Sequence, residues 1–536
     1  KNKFGKNYGT TSKLIMDLNL RKFAKFVDKT FIEGGKQAKT PVLLVSVAAV
    51  IKNPWIDRGF VEDLKPEILA LAPKLGDILV VTVTQDKYVN KGPNRPIFSL
   101  NTRMELIAAI KDIDYVAPNI YSNAIQLIKM LKPSIYCKGK DYKNYNLDAT
   151  NQIKKEVLAI KSVGGRIIHT DTELFSSSKI INQTNLDLTN EQKSLINKIK
   201  KNKNFNNDSK ILSTMNSFSD IKVLIIGETI IDEYVYCEAL GKSSKEAILV
   251  VRDIYKERYL GGTAAIARNL SSFCKKITLF TNIGQKNDEK KFIKNNLEKN
   301  IKTIFLKKKN SPTITKKRFI EHINKTKIFG VYSLNDQPLD NDQESELNRK
   351  IQKLIKNHDL VIVSDYGHGL ISDKTAKLIV KKSKFVAVNT QLNSTNLGFH
   401  VISKYIGANF ITINETEMRH ELRNKTEHTI PLIKTLSKKL KSKYTHVTSG
   451  VMGSIIYHST LKEIISCPAF ASKVIDKVGT GDTMLAILAI SLFKKFNIKL
   501  SMFLSALAAA QNIQYMANKI PINKVNITRA LQSYLK

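Results

Sequence analysis

Cysteine is scarce in this chain of 536 residues: Cys137, Cys237, Cys274 and Cys467 are far apart, with no C-x-x-C pair among them. That spacing excludes a disulfide framework and a cysteine-built zinc site, and it fits a reducing, cytoplasmic setting. Long apolar runs are missing too. The two longest, Val42 to Ile51 and Met484 to Phe493, fall well short of the roughly 18–20 residues that a membrane-spanning helix needs, so no membrane partner is expected. The opening stretch, Lys1 to Thr11, is polar and lacks the apolar centre of a secretory signal. There is no fixed-period repeat, which removes solenoids. Acidic residues are outnumbered, 47 against 86 Lys and Arg, leaving a formal net charge of +39. Such a charge attracts polyanions. Here it comes mostly from scattered lysines, as at 307–309 and 438–441, without an Arg-rich arm or the interleaved aromatics that stack bases. It reads as solvated surface, and nucleic acid is not expected as a partner.

What is present is a balance of 42% hydrophobic and 25% charged residues, that of a chain with buried cores. Apolar spacing through Leu18, Leu20, Phe23, Phe26, Val27 and Phe31 predicts an opening helix, and strand-like runs follow at 41–50 and 77–84. The pattern continues as helix 101–111, strand 113–117, helix 122–131, strand 134–138, helix 151–162 and strand 165–169. Alternation of this kind predicts an α/β fold with a parallel sheet. Residues 183–220, rich in Asn and Lys, break it and predict a linker with one short helix at 189–200. A second block runs from 221 to 536, with strands near 221–228, 277–281, 359–364, 384–388, 409–413 and 444–448, and a helical last third. The expected domains are therefore 1–182, a linker 183–220, and 221–536.

In the second block, Val478-Gly479-Thr480-Gly481-Asp482-Thr483 follows a polar approach and precedes the apolar run MLAILAISLF. A glycine-rich turn feeding a helix start points several backbone N–H groups and the positive end of the helix dipole at one place, where an anion belongs. Asp482 in that turn would be a carboxylate beside a bound phosphate, able to take a proton from an attacking hydroxyl. Asp232, in Gly227-Glu228-Thr229-Ile230-Ile231-Asp232, follows the first strand and would project at the carboxyl edge of the sheet, where ligands of open α/β folds bind. Gly261-Gly262 offers close backbone approach to a polar substrate at another junction. Asn414-Glu415-Thr416-Glu417 and Thr448-Ser449-Gly450 each follow a strand directly. Ser364-Asp365-Tyr366-Gly367-His368-Gly369-Leu370 does the same after LVIV.

These motifs, in this order, resemble the ribokinase-like (PfkB) carbohydrate kinases over essentially all of 221–536. The resemblance implies a ribokinase-like fold and ATP-dependent phosphorylation of a sugar or sugar phosphate with Mg²⁺. By it, Asp482 is the catalytic base and the amides of Gly479, Thr480, Gly481 and Asp482 form the anion hole. Asp232, Gly261 and Gly262 meet the sugar, and Asn414 and Glu417 match an N-x-x-E element that helps organise Mg²⁺ and the nucleotide phosphates. Thr448 and Gly450 line the nucleotide, with Ala508 to Asn512 beneath the adenine. Two departures stand out. Ala265 and Ile266 occupy places where the family carries Asn near the sugar, with Asn269 one helical turn on, and Ser449 stands where a basic residue is frequent. The loop at 364–370 and GKSSKEAI at 241–248 are most similar to the subgroup that phosphorylates heptose phosphates for lipopolysaccharide.

The first block offers Arg95, Arg103, Lys138 and Lys140 as cationic donors, and Ser177 among three serines before Lys179. Alone these suit phosphates. Lys138-Gly139-Lys140-Asp141-Tyr142 and Phe175 to Ile181 resemble elements of the cytidylyltransferase-like family, specifically the nucleotidyltransferase half of bifunctional heptose kinase/adenylyltransferases, over about 20–182. The resemblance implies a Rossmann-like nucleotidyltransferase fold, here ahead of the kinase-like half and not behind it. That family's H-x-G-H motif maps onto Glu62-Asp63-Leu64-Lys65, and the chain has no histidine before His169. The expectation is a sugar or heptose-phosphate kinase with a degenerate nucleotidyltransferase-like lobe. An active ADP-heptose-type synthase and a non-catalytic nucleotide- or polyanion-binding protein remain the alternatives. Relatives of both halves often self-associate, so a homo-oligomer is a further implication.

Overall fold

The computed structural model describes residues 6–8, 12–14, 42–47, 78–89, 96, 98–108, 113–139, 142–145, 148, 150, 152–169, 188–201, 208–398, 401–471 and 474–535. The chain divides into two compact units. The first holds Lys1–Leu188, Lys203–Leu212 and Thr528–Lys536, and the second holds Thr189–Asn202 and Ser213–Ile527. No described helix is long and apolar enough to cross a membrane.

The first unit is built on strands β1 (Lys6–Tyr8), β2 (Ser12–Leu14), β3 (Val42–Val47), β4 (Ile78–Thr84), β5 (Tyr115–Asn119), β6 (Ile135–Lys138) and β7 (Arg166–His169). Their order is β1-β2-β5-β4-β3-β6-β7, parallel throughout apart from the β1–β2 pair. From β3 the chain winds one way to β4 and β5, then returns to β6 and β7 on the other side. The β3–β6 pair is thus the switch point of a doubly wound sheet. Strand β4 shows why its sequence is apolar without a break. Leu79, Val81 and Val83 pack against Met104, Ile107 and Ala108 of α1 (Leu100–Ala108). Val80, on the other face, joins the cluster built by Leu127 and Ile128 of α2 (Ile125–Leu131) with Ala159 and Ile160 of α3 (Gln152–Ser162). A strand covered on both faces cannot alternate apolar with polar.

In the second unit, α4 (Asn190–Lys200) starts at a capping box. Thr189 Oγ1 accepts from Gln192 N at 3.3 Å, and Gln192 Oε1 accepts from Thr189 N at 2.8 Å. Gln192 also donates to the Ala469 carbonyl at 2.6 Å, so this helix is attached to the second unit. The main sheet comprises β8 (Lys222–Gly227), β11 (Lys276–Gly284), β12 (Ile301–Lys308), β15 (Leu360–Asp365), β16 (Val386–Thr390), β17 (Phe410–Asn414), β18 (Tyr444–Thr448), β19 (Ser454–His458) and β20 (Glu463–Cys467). Its order is β12-β11-β8-β15-β16-β17-β18-β19-β20. The run from β12 to β18 is parallel, and two antiparallel strands close the far edge. All the carboxyl ends from β11 to β18 therefore lie along one edge.

A second, four-stranded sheet has the order β10-β9-β13-β14, from β9 (Thr229–Lys242), β10 (Leu249–Gly262), β13 (Thr315–Glu321) and β14 (Lys327–Ser333). Only Glu228 separates β8 from β9, so the chain passes straight from one sheet to the other. Helices α5 (Thr263–Ser271), α6 (Asn341–Ile355), α7 (Asp373–Lys382), α8 (Glu415–Leu422), α9 (Thr429–Leu440), α10 (Thr480–Phe493) and α11 (Ile498–Asn512) complete the unit. One face of the main sheet packs on Leu347 and Ile351 of α6, Ala376 and Ile379 of α7, and Leu432 and Leu436 of α9. Helix α10 is buried along its whole length from Thr483 to Leu492. A helix apolar on every side belongs inside a core, which fixes the position of the turn that starts it.

Candidate active site

The Asp482 turn sits at the mouth of that buried helix. Gly479 is the N-cap with φ +82°, and a Cβ there would come within 2.0 Å of Asn518 Oδ1, so both backbone conformation and space require glycine. A Cβ at Gly481 would meet nothing within 4 Å, so this side of the turn is open. Thr483 N and Oγ1 both donate to the Gly479 carbonyl, at 3.0 and 2.9 Å, which pins the first turn. Among the described residues, the amides of Gly481 and Asp482 make no hydrogen bond within the protein. Two free N–H groups at the positive end of a helix dipole form an anion cradle.

Asp482 itself accepts from Tyr366 Oη at 2.6 Å. Burial pushes its carboxyl up to about 7, the nearby Asp232 charge adds to this, and the Tyr366 phenol and the Lys316 ammonium oppose it. Asp232 lies just past the carboxyl end of β8, on a strand of the smaller sheet that the sequence did not predict. It sits within β9 of the smaller sheet, 3% exposed, ion-paired with Arg318 of β13. A Cβ on Gly261 would come within 2.2 Å of Asp232 Oδ2, so this glycine makes room for the carboxylate. Gly262, next to it, ends β10 and caps α5. Lys316, also on β13, is 7% exposed, and the described residues place no carboxylate within ion-pair distance of it. Burial holds it below the usual lysine value, while Asp232, Glu228 and Asp482 raise it.

Lys316, Arg318 and Tyr366 were not singled out from the sequence. A signal for the first two exists, since in the strand Thr315-Lys316-Lys317-Arg318 a period of two puts 316 and 318 on one face and 317 on the other. Tyr366 is placed by Glu228, fully buried after β8, whose carboxylate accepts from the amides of Tyr366, His368 and Leu370 at 3.0, 3.2 and 3.4 Å. Asn269 does not reach the sugar side. It donates to Thr483 Oγ1 at 3.0 Å and accepts from Ile522 N at 3.1 Å, tying α5 to the start of α10.

Further along the carboxyl edge, Asn414 and Thr448 are register neighbours on β17 and β18. Asn414 caps α8 and accepts from Glu417 N at 2.8 Å. Glu417 returns the bond with Oε2 at 2.8 Å and takes the Leu392 amide on Oε1 at 3.0 Å. Both carboxylate oxygens of the N-x-x-E element are thus engaged, Oε2 in the helix cap and Oε1 on the Leu392 amide after β16. Burial pushes Glu417 up to about 7. Among the described residues no cluster of three His, Cys, Asp or Glu could hold a metal ion. Gly450 follows Thr448 with φ +57°. Asn512, 1% exposed at the end of α11, has neither amide atom hydrogen-bonded. Ile475 N and Asp476 N donate to the carbonyl of the next residue, Ile513, so the end of α11 meets the approach to the Asp482 turn. An unpaired buried amide with one donor group and one acceptor suits an ATP base.

In the first unit, Arg103 is fully buried. Its guanidinium donates to the carbonyls of Thr84 at 2.8 Å and Phe98 at 3.1 Å and pairs with Asp86. Instead of reaching toward a phosphate, it fastens α1 to the end of β4. Lys138 ends β6 at 3.1 Å from Glu156, whose other contacts are Tyr136 Oη at 3.0 Å and Ala124 N at 3.2 Å. Arg95, Lys140, Ser177, the opening helix and Glu62 to Lys65 lie outside the described residues.

The model of the pfkB family carbohydrate kinases matches residues 220–524, more than half of the chain. The chain belongs to the pfkB family of carbohydrate kinases. A cytidylyltransferase-like model matches residues 67–183, ahead of the pfkB region, and an amino acid synthesis model matches 20–90. Curated relatives that this pfkB chain is similar to include the Bifunctional protein HldE of Campylobacter jejuni, 29% identical over 282 residues, and that of Helicobacter pylori, 31% identical over 291. Each match covers 52% of this chain, and it spans 58% and 59% of those relatives' lengths. Similar solved structures include a ribokinase of Arabidopsis thaliana complexed with ribose and ATP, with 17% identity and a TM-score of 0.45 over 59% of this chain and 99% of that one. A putative ribokinase of Agrobacterium tumefaciens gives 13% identity and a TM-score of 0.47 over the same shares.

Proposed function

We propose that the second unit transfers the γ-phosphoryl group of ATP to a hydroxyl of a sugar phosphate, with Asp482 as the base. One observation carries the reading. A half-buried carboxylate stands in the first turn of a buried helix, beside free amides, and faces Asp232, itself paired with Arg318, and the cation Lys316. In the reaction the acceptor oxygen attacks the γ-phosphorus, its proton passes to Asp482, and the bond to the β,γ-bridging oxygen breaks to release ADP. The amides of Gly481 and Asp482 stabilise the charge gathering on the transferring group. Mg²⁺, when bound with the nucleotide, neutralises phosphate charge.

A phosphorylated acceptor is favoured because Lys316 is a buried ammonium with no carboxylate at ion-pair distance among the described residues. A buried charge of that kind needs an anion. The similarity of 364–370 and 241–248 to heptose-phosphate kinases puts a heptose phosphate first among acceptors. ATP consumption across a panel of phosphorylated and free sugars tests this. Turnover should be fastest with a phosphorylated heptose, and failure with every sugar, or equal use of free sugars, overturns it.

The first unit is proposed to have lost nucleotidyl transfer. Supporting this, no histidine precedes His169, and both Arg103 and Lys138 have partners inside their own unit. The full chain, given a sugar 1-phosphate with ATP or CTP, should release no pyrophosphate. Steady release would show an active synthase instead.

A further inference from the structure

We infer that Tyr366 is a positioning residue of this reaction: its phenol fixes one oxygen of Asp482 so that the other is presented to the acceptor hydroxyl. The inference rests on the reading of Asp482 as the base and adds a group that acts through it. Tyr366 Oη donates to Asp482 Oδ1 at 2.6 Å, the length of a charge-assisted O–H···O⁻ bond. Tyr366 is 4% exposed, so water competes little for its hydroxyl.

A buried tyrosine needs some partner for its hydroxyl, and an incidental contact would be expected on a side chain otherwise loosely held. Tyr366 is the opposite case. Its amide donates to Glu228 Oε2 at 3.0 Å, and its carbonyl accepts from Asn393 Nδ2 at 2.8 Å and Asn396 Nδ2 at 2.9 Å. Gly262 lets the ring lie close, since a Cβ there would come within 3.3 Å of Cε2. The residue is therefore held by Glu228 and by the loop of Asn393 and Asn396, with Gly262 against its ring, before it touches the carboxylate. That is how a group that orients a base is held, with its own freedom removed first.

The charged and titratable groups facing Asp482 come from each neighbouring element: Asp232 on β9, Lys316 on β13, Tyr366 after β15, and the Ser364 hydroxyl at the end of β15. Arg318 acts on it through Asp232. Asp232 and burial favour the protonated acid, while Lys316 and the two hydroxyls favour the carboxylate. A bond to the charged form keeps a base available near neutral pH. Tyr366 thus does two things with one contact: it selects the rotamer and supports ionisation.

Tyr366→Phe removes the donor and keeps the ring. With the sugar and ATP saturating, the acidic limb of kcat against pH should move up by about one to two pH units, with KM for the sugar nearly unchanged. The loss at pH 7 should fade at higher pH. Replacing Tyr366 by 3-fluorotyrosine makes a stronger donor in the same shape and should move the limb down. This second variant carries the test if Tyr366→Phe fails to fold. A ¹³C titration of the Asp482 carboxyl in the full chain reads the same shifts without turnover. Limbs and carboxyl titrations that coincide in wild type and both variants overturn the inference. A wild type that shifts on titration but phosphorylates nothing leaves the Tyr366 contact standing and overturns the function instead.

Discussion

Lys327, on the smaller sheet, holds its ammonium 2.7 Å from Oδ1 of Asp476, in the approach to the turn that carries Asp482. Asp476 is buried and also accepts from Tyr234 Oη at 3.0 Å, Val478 N at 3.2 Å and Ala517 N at 3.1 Å. One carboxylate therefore joins two strands of the smaller sheet, β9 and β14, to the glycine turn and to the segment after α11. Burial alone would raise its pKa, yet these partners hold it below the usual aspartate value, with Lys327 foremost among them.

Lys327→Met should therefore weaken the second unit in a pH-dependent way. A carboxyl whose folded pKa is depressed contributes stability above its unfolded value of about 4, and loses it as pH falls through the lower folded value. Lys327 is 43% exposed, so the loss at pH 7 is screened to about 1 kcal/mol. Urea unfolding at pH 7 and near pH 3 checks this: the variant's deficit should be present at the first and shrink at the second. A deficit that is the same at both would assign Lys327 to packing.

Asp482 has the opposite sign. Its folded pKa, pushed up to about 7, lies above the unfolded value. The ionised form is thus disfavoured by folding, and wild-type stability from this group declines as pH rises from about 4 to about 7. Asp482→Asn should remove that decline, leaving a protein at least as stable as wild type at pH 8 while ATP-dependent phosphorylation falls by about 10²–10⁴-fold. Thermal melts from pH 5 to 8 beside a kinase assay show both, and full retained activity would rule out the base.

The contrast between Asp482 and Asp232 shows what the sequence could and could not reveal. Gly479 to Thr483 are contiguous, and turn plus apolar helix is a local pattern, so the cradle was readable before any coordinates. The alternation that places β15 (Leu360–Asp365), β17 (Phe410–Asn414) and β18 (Tyr444–Thr448) was equally local and came within one or two residues. The smaller sheet was not foreseen. It sets β9 parallel to β13, pairing Asp232 with Lys316 across a long stretch of chain, and no window of neighbouring residues carries that information. Asn414 and Glu417 show another limit: that they close a helix cap, with the second Glu417 oxygen on the Leu392 amide, depends on a loop more than twenty residues earlier in the chain. Arg103 looked like an exposed fork for phosphate because burial of an arginine is rare enough that sequence reasoning does not expect it.

Lys316→Met should separate acceptor binding from chemistry. Losing a charge-assisted contact to a phosphate of about 1.5–3 kcal/mol corresponds to a KM increase of roughly 10- to 150-fold for a phosphorylated sugar, with little change for a free one. Because Lys316 also helps keep Asp482 ionised, the comparison belongs well above pH 7, where the base is charged in both proteins. Equal effects on phosphorylated and free sugars would remove the acceptor phosphate from this cation.

Arg103→Met tests the first unit. The guanidinium of the buried Arg103 is the donor for the half-buried Thr84 and Phe98 carbonyls, and its loss leaves them without it. A cost of about 1–3 kcal/mol follows, since Asp86, 47% exposed on its side chain, can turn to water and adds little. Denaturant unfolding followed by a probe in the first unit should show the loss, while sugar phosphorylation by the second unit stays at the wild-type rate. If instead unfolding is unchanged and the full chain loses affinity for a nucleoside triphosphate, the arginine serves a phosphate and its internal bonds are incidental.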